Sequence, residues 1–299
     1  MRKSGAARRP RFIALLALVA ACAAPQTSTS TSVATTAATD GTQGTVTTAA
    51  DERSAELINP GRVVICMTFP VARVSFYDAA GEPAGQSVEF AFELARRLGL
   101  EPEIRDTTFE EIIDAIEAGD CDFSLAGHFI TPERLERIEM IPYLKGRQQM
   151  VVQLGNPEGI DDSVDICGRP VSSRAGTIQE DLILGVGLYE GSGLNDACAE
   201  ADLTPIDLVT FPGEAEAIDA LRQGEVVAFL GGTTWVAEFP DELAIAPNVE
   251  LPEFTNGIGV SKEHPLLTNA LRSALDAMVA DGTYLSIQDE WGVGQPITP

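Results

Sequence analysis

The sequence predicts an α/β protein of two lobes, each a mostly parallel sheet flanked by helices. Three observations predict it. Strand-like apolar runs alternate with amphipathic helical runs from residue 62 onward, the alternation falls into two blocks, and a long amphipathic helix closes the chain. At 299 residues with 44% hydrophobic content, the chain can bury a sizeable core in about two domains.

In the first block, Arg62 to Thr68 (RVVICMT) is a continuous apolar run, as in a strand buried on both faces. Ser87 to Leu98 places Val88, Ala91, Ala95 and Leu98 on one helical face, with Gly99 as the stop. A short strand, Glu103 to Arg105, follows Pro102. Thr108-Phe109-Glu110-Glu111 then reads as a capping box for a helix that buries Ile112, Ile113 and Ile116 and ends by Gly119. Cys121 to Ala126 is the next strand. Thr131 N-caps a further helix, with Pro132 at its first position and Glu133 in its first turn. Such alternation implies right-handed βαβ units, and ligands of such sheets sit beyond the carboxyl ends of the strands, where Gly127 to Thr131 fall.

The second block repeats the pattern. Arg169 to Arg174 is a strand running into the turn and helix start Ala175 to Glu180; Ile206 to Phe211 is a strand, Glu214 to Arg222 a helix and Val226 to Leu230 a strand ending in Gly231-Gly232-Thr233-Thr234. The closing helix, Leu266 to Ala280, buries Leu267, Leu271, Ala274, Leu275 and Met278. Glycine and hydroxyl residues such as Thr177 and Thr233 thus rim a cleft between the two sheets.

Arg134 stands out in this frame. A surface arginine flanked by Glu133 and Glu136 is the ordinary reading of such a stretch. At a helix start beyond a buried strand, however, a guanidinium can grip a carboxylate in bidentate fashion, beside unpaired backbone N–H groups. The sequence holds no nucleophile elbow and no phosphate loop. The only histidines are His128 and His264 and no CxxC pair occurs, so neither a metal site nor a cofactor is expected.

The N-terminus has its own organisation. A basic stretch, an apolar run of nine residues and Val19-Ala20-Ala21 before Cys22 resemble a bacterial lipoprotein signal, with residues 1–21 removed and Cys22 lipidated. The apolar run is too short to span a membrane. Residues 22–57, rich in Thr, Ser and Ala, cannot form a core and read as a flexible tether with a reach of about 30 to 35 Å. Residues 1–21 contain five of the 20 basic residues and none of the 45 acidic ones, so the rest of the chain carries a net −30. That charge opposes a nucleic-acid partner and favours solubility. Cys66, Cys121, Cys167 and Cys198 remain, and an even number in an exported chain favours disulfides, in any of three pairings.

Six segments together carry a family resemblance: GQSVEFAFELARRLG (85–99), FEEIIDAIEAGDCDFSLAG (109–127), ITPERLERIEMIPYLKGRQQMVV (130–152), DICGRPVSSRAGTIQE (165–180), ALRQGEVVAFLGG (220–232) and ADGTYLSIQDEWG (280–292). In order and spacing they resemble the extracellular solute-binding proteins of family 3, which deliver polar amino acids to ABC importers. The resemblance implies a type II periplasmic-binding-protein fold whose lobes are joined by two crossover strands, near Gln148 to Val152 and Asn256 to Val260. Lobe 1 is then 58–147 plus 260–299 and lobe 2 is 148–259. Lobe closure captures the ligand by population shift. Pairing within lobes favours Cys167 with Cys198 and Cys66 with Cys121.

Carried over residue by residue, the resemblance places Arg134 on the ligand α-carboxylate and the Gly127 backbone near its α-amino group. Phe129 stands where a hydroxyl residue usually helps hold the carboxylate. Ile178 replaces another hydroxyl residue, with Thr177 beside it, and Gly232 replaces the acid that usually pairs with the α-ammonium. A buried ammonium without a counter-charge would cost several kcal/mol, so either the ligand lacks the amine or another acid reaches it. The expected ligand is a small carboxylate-bearing solute held by Arg134 against Phe129 and Ile178, with Phe76, Tyr77 and Trp235 as aromatic walls. The expected partners are this solute, the permease subunits and the membrane through Cys22, for a monomer on the outer face of the cell membrane. A ligand-sensing surface lipoprotein is the alternative, and a dehydratase-like enzyme on the same fold a remoter one. A lone His128 reads as packing rather than as a base.

Overall fold

The computed structural model describes residues 54–249 and 251–296. The segment expected to be a signal, 1–21, together with Cys22 and nearly all of the expected tether, lies outside the described residues. The first half runs β1 (Arg62–Met67), β2 (Phe76–Tyr77), β3 (Pro83–Ala84), α1 (Gln86–Leu98), β4 (Glu101–Asp106), α2 (Ile112–Glu117), β5 (Phe123–Ser124), α3 (Pro132–Arg137) and β6 (Glu139–Gln153). The second runs β7 (Pro170–Arg174), α4 (Ile178–Leu184), α5 (Leu194–Glu200), β8 (Asp207–Phe211), α6 (Glu214–Arg222), β9 (Ala228–Gly232), α7 (Thr234–Glu238) and β10 (Leu243–Ile245). Then β11 (Glu253–Val260), α8 (Pro265–Asp281), α9 (Thr283–Trp291) and β12 (Gln295–Pro296) complete the chain.

Strand order is β4-β1-β5-β11-β6-β9-β7-β8. β1 lies parallel to β4 and β5, and β7 parallel to β8 and β9, so each half has its own parallel sheet. Between them, β6 and β11 are antiparallel and cross from one half to the other. Glu139 to Arg147 pairs with β11, and from Gln148 onward β6 pairs with β9 instead. The exchange of partners therefore falls at Arg147/Gln148, and the two crossing strands face each other over Leu144–Arg147 and Glu253–Asn256. The exchange on β6 thus falls at the start of the segment Gln148 to Val152 that the resemblance implies, and Asn256 to Val260 lies within the part of β11 that pairs with β6.

The cores follow the sequence pattern. β1 is buried from Val63 to Met67, and α1 turns Val88, Phe90, Ala91, Leu94 and Ala95 inward before Gly99 ends it in the left-handed region at φ 70°. Leu267, Leu271, Ala274, Leu275 and Met278 of α8 join this same core, so the final helices return to the first half. A second core, around Met150, Ile183 and Leu230, fills the other half. The Tyr284 hydroxyl donates to the Tyr143 carbonyl at 2.6 Å, which ties α9 to β6.

Two local expectations differ. Thr108 does not cap its helix through the backbone. Its hydroxyl donates to the Glu111 carboxylate at 2.6 Å, and a 3₁₀ turn over Phe109–Glu111 precedes α2. The strand expected over Cys121 to Ala126 is shorter, Phe123 and Ser124, with the Asp122 and Leu125 N–H groups still donating to the Val64 and Cys66 carbonyls, while the Asp122 carboxylate accepts the Ile58 and Val64 N–H groups at 2.9 and 2.6 Å. Disulfides join Cys66 to Cys121 and Cys167 to Cys198, one in each half, as lobe-wise pairing implies.

Gly85, just before α1, has φ 117°, and a β-carbon there would stand 2.5 Å from the Val74 carbonyl oxygen. Gly85→Ala is expected to lower the unfolding free energy by about 1–3 kcal/mol, because strain and a backbone clash coincide. Urea denaturation reads it directly. An unchanged midpoint would contradict the clash.

Candidate functional site

The carboxyl ends of β5, β7 and β9 converge on a cavity of about 240 Å³. From the first half it is lined by Phe109, Gly127, Phe129 and Arg134. Arg174, Ile178, Glu214 and Gly232 face them from the second half, and Gln148 and Asn256 line it from the crossing strands. Five of the sequence-predicted residues, Gly127, Phe129, Arg134, Ile178 and Gly232, thus share one cavity, as do Thr177 and Thr233. Phe76 is not among its lining residues. It packs edge-on against Trp291 at 5.8 Å, a contact 215 positions away in sequence, while Tyr77 stacks on Phe69 and stays exposed. Trp235 is buried and contributes its indole N–H rather than a wall.

Arg134 sits as the sequence leads one to expect. The Thr131 hydroxyl caps α3 by accepting the Arg134 N–H at 3.2 Å, and Pro132 opens the helix. With only six residues, α3 contributes little dipole, so the guanidinium itself must carry any anion. Its Nη1 donates to the Phe129 carbonyl at 3.0 Å and its Nη2 to the Gly176 carbonyl at 3.4 Å. No acid among the described residues forms an ion pair with it. Burial pushes its pKa down to about 10, and the charges of Asp181 and Glu133 offset this only in part. It is a cation short of a counter-charge.

Phe129 lies against Phe254, ring centroids 4.9 Å apart. It fits over β6 only because position 146 is glycine: a β-carbon there would meet the Phe129 ring at 2.7 Å. Thr177 turns its hydroxyl back to donate to the Arg174 carbonyl at 2.7 Å, so that proton is spent on the turn and not on a ligand. Gly127 has φ 75°, a backbone conformation that glycine adopts without penalty.

The residues that sequence reasoning missed are Arg174 and Glu214. Arg174 ends β7, and its side chain is 8% exposed. Its guanidinium lies 3.7 Å from the centroid of the Phe109 ring. Glu214 opens α6, where its Oε2 accepts the Trp235 indole N–H at 3.0 Å and its Oε1 lies 3.7 Å from Arg174. A β-carbon at Gly232 would stand 3.9 Å from Glu214 Oε2, so an acid does reach the place that Gly232 leaves open. In the sequence Glu214 has the look of an exposed first-turn acid; only its neighbour Gly213 and the Trp235 twenty-one positions later hint otherwise.

His128 stacks in parallel on Phe109 with centroids 4.0 Å apart, so Phe109 is held between His128 on one face and Arg174 on the other. Burial, then Arg134 and Arg174, push the His128 pKa well below its ordinary value. The folded state therefore keeps His128 neutral while the unfolded chain takes up a proton below about pH 6.5. This contribution to stability is full above that pH and lost as the pH falls. Between pH 7.5 and 5.5 the protein should lose about 1 kcal/mol more than a His128→Gln variant does, measured by urea midpoints at both pH values. Equal losses would show that His128 titrates freely in the fold.

Two parallel half-sheets bridged by crossing strands over a cleft with a waiting cation define a two-lobed receptor for a small solute. The model of the bacterial extracellular solute-binding proteins, family 3, matches residues 63–294, and the chain belongs to that family. It is 24% identical over 224 residues to the probable ABC transporter arginine-binding protein ArtJ of Chlamydia trachomatis, which covers 73% of this chain and 80% of ArtJ. Among solved structures, a mutant of ArgBP from T. maritima matches with a TM-score of 0.67 and 26% identity, over 82% of this chain and 99% of that one. The ancestral amino acid-binding protein AncCDT-1, a precursor of cyclohexadienyl dehydratase, matches with a TM-score of 0.66 at 24% identity, over 80% and 98% of the two chains, a likeness of fold.

Proposed function

We propose that the chain is the solute-binding component of an ABC importer, anchored outside the cell membrane through lipid on Cys22, and that its cleft takes an amino acid or a related small carboxylate. The observation that carries this reading is Arg134, whose guanidinium faces the cavity with two carbonyls for partners and a pKa pushed down to about 10 by burial. A carboxylate would relieve that cation with charge-assisted, bidentate hydrogen bonds. The relatives support the amino-acid class, since ArtJ and ArgBP are named for arginine. Arginine itself does not carry over, because the cleft already holds Arg134 and Arg174 against Glu214 alone.

The same cleft supports binding without catalysis. Its one histidine neighbour, His128, is buried, stacked and neutral, and is not among the lining residues of the cavity. Lobe 1 as 58–147 plus 260–299 and lobe 2 as 148–259 would close on the ligand as a monomer.

Thermal unfolding of the protein against amino acids, their deaminated analogues and their carboxamides tests the reading. A ligand of the folded state raises the midpoint with the logarithm of its concentration. Carboxylates should raise it and carboxamides should not; if no carboxylate does, the reading falls. Cys22→Ser should release the protein from the membrane fraction into the medium, and retention would argue against the lipid anchor.

A further inference from the structure

We infer that Arg174 and Glu214 form a second charged subsite beside Arg134, which selects amino acids bearing a second carboxylate. The inference rests on the proposed carboxylate seat at Arg134. It starts from a buried cation whose hydrogen-bond donors are idle. Among the described residues the Arg174 guanidinium makes no hydrogen bond: its nearest acid is Glu214 at 3.7 Å, and its Nε, fully buried, has no partner at all. A buried guanidinium with idle donors facing a cavity is a place for an anion. It is separate from the Arg134 seat but within reach of the same molecule, since the Arg134 and Arg174 guanidinium carbons lie 5.8 and 3.7 Å from the centroid of one ring, Phe109.

Charge counting then narrows the ligand. Among the residues that line the cavity, Arg134 and Arg174 against Glu214 leave one surplus positive charge, which Asp181 and Glu133 offset only in part from outside it. A cationic amino acid would add to the surplus, and a neutral one would leave it standing in a partly dry site. A cationic ligand also finds the Phe109 face taken, because Arg174 already lies over it. An amino acid with two carboxylates brings a net −1 and balances it. Its ammonium has a counter-charge in Glu214, which Trp235 holds in place beside Gly232. The pattern of two anions and one cation on the ligand thus meets two cations and one anion on the protein.

Isothermal titration of the protein with L-glutamate, L-aspartate, L-glutamine, L-arginine and glutarate tests this. The acidic amino acids should bind about 10- to 100-fold tighter than L-glutamine, the value of one charge-assisted interaction. Arg174→Gln should bring that ratio near one, and Arg174→Lys should keep its direction. Glu214→Gln should weaken L-glutamate relative to glutarate, which has no ammonium for Glu214 to pair. L-Glutamine or L-arginine binding as tightly as L-glutamate overturns the inference on the unaltered protein, whatever the variants' folding. So does an unchanged ratio in a folded Arg174→Gln. Binding of carboxylates without acidic preference would leave the Arg134 seat standing and remove only this subsite. No binding of any carboxylate would remove both.

Discussion

Arg134→Gln should weaken binding of the carboxylate ligand by about 100-fold or more, with little loss of stability in the ligand-free protein. Each hydrogen bond to a charged group contributes about 1.5–3 kcal/mol, and a bidentate carboxylate makes two of them. The partners that Arg134 has without ligand are weaker, two carbonyl oxygens at 3.0 and 3.4 Å. Burial disfavours its charge, so glutamine at this position removes a cost as well as two bonds, and the unfolding midpoint should move by less than about 1 kcal/mol. Calorimetric affinity and urea midpoint together separate the two effects. An affinity within a few-fold of the parent protein's, in a variant of normal stability, would show that the carboxylate sits elsewhere.

Arg134 was also the part of the site most legible in sequence, and the reason is local. Thr131, Pro132 and Arg134 are neighbours in one turn, and the cap that positions the arginine is formed by residues three apart. The same holds for the alternation of strands and helices and for the buried face of α8, which short-range patterns specify. What escaped is what only convergence creates. Arg174 and Glu214 stand 40 positions apart at the ends of different βα units, and neither looks unusual alone. Phe76 was expected as an aromatic wall of the cleft, yet it packs against a ring 215 positions later.

The largest effect on stability should come from Glu214→Ala, about 3–5 kcal/mol. Arg174 is 8% exposed and Glu214 9%, and burial disfavours the Arg174 charge, with Glu214 as the opposing influence. Deleting the acid leaves an uncompensated buried cation, deprives the Trp235 N–H of its acceptor at 3.0 Å, and opens a gap at the start of α6. A buried pair replaced whole behaves differently from a pair that is broken. Arg174→Met with Glu214→Leu should cost far less than Glu214→Ala alone, because no charge is left without its partner, though the Trp235 N–H still lacks an acceptor. Denaturation of the two variants side by side decides it. If Glu214→Ala costs less than about 1 kcal/mol, Arg174 has access to water or to another acid, and the surplus positive charge assigned to the cleft is not confined there.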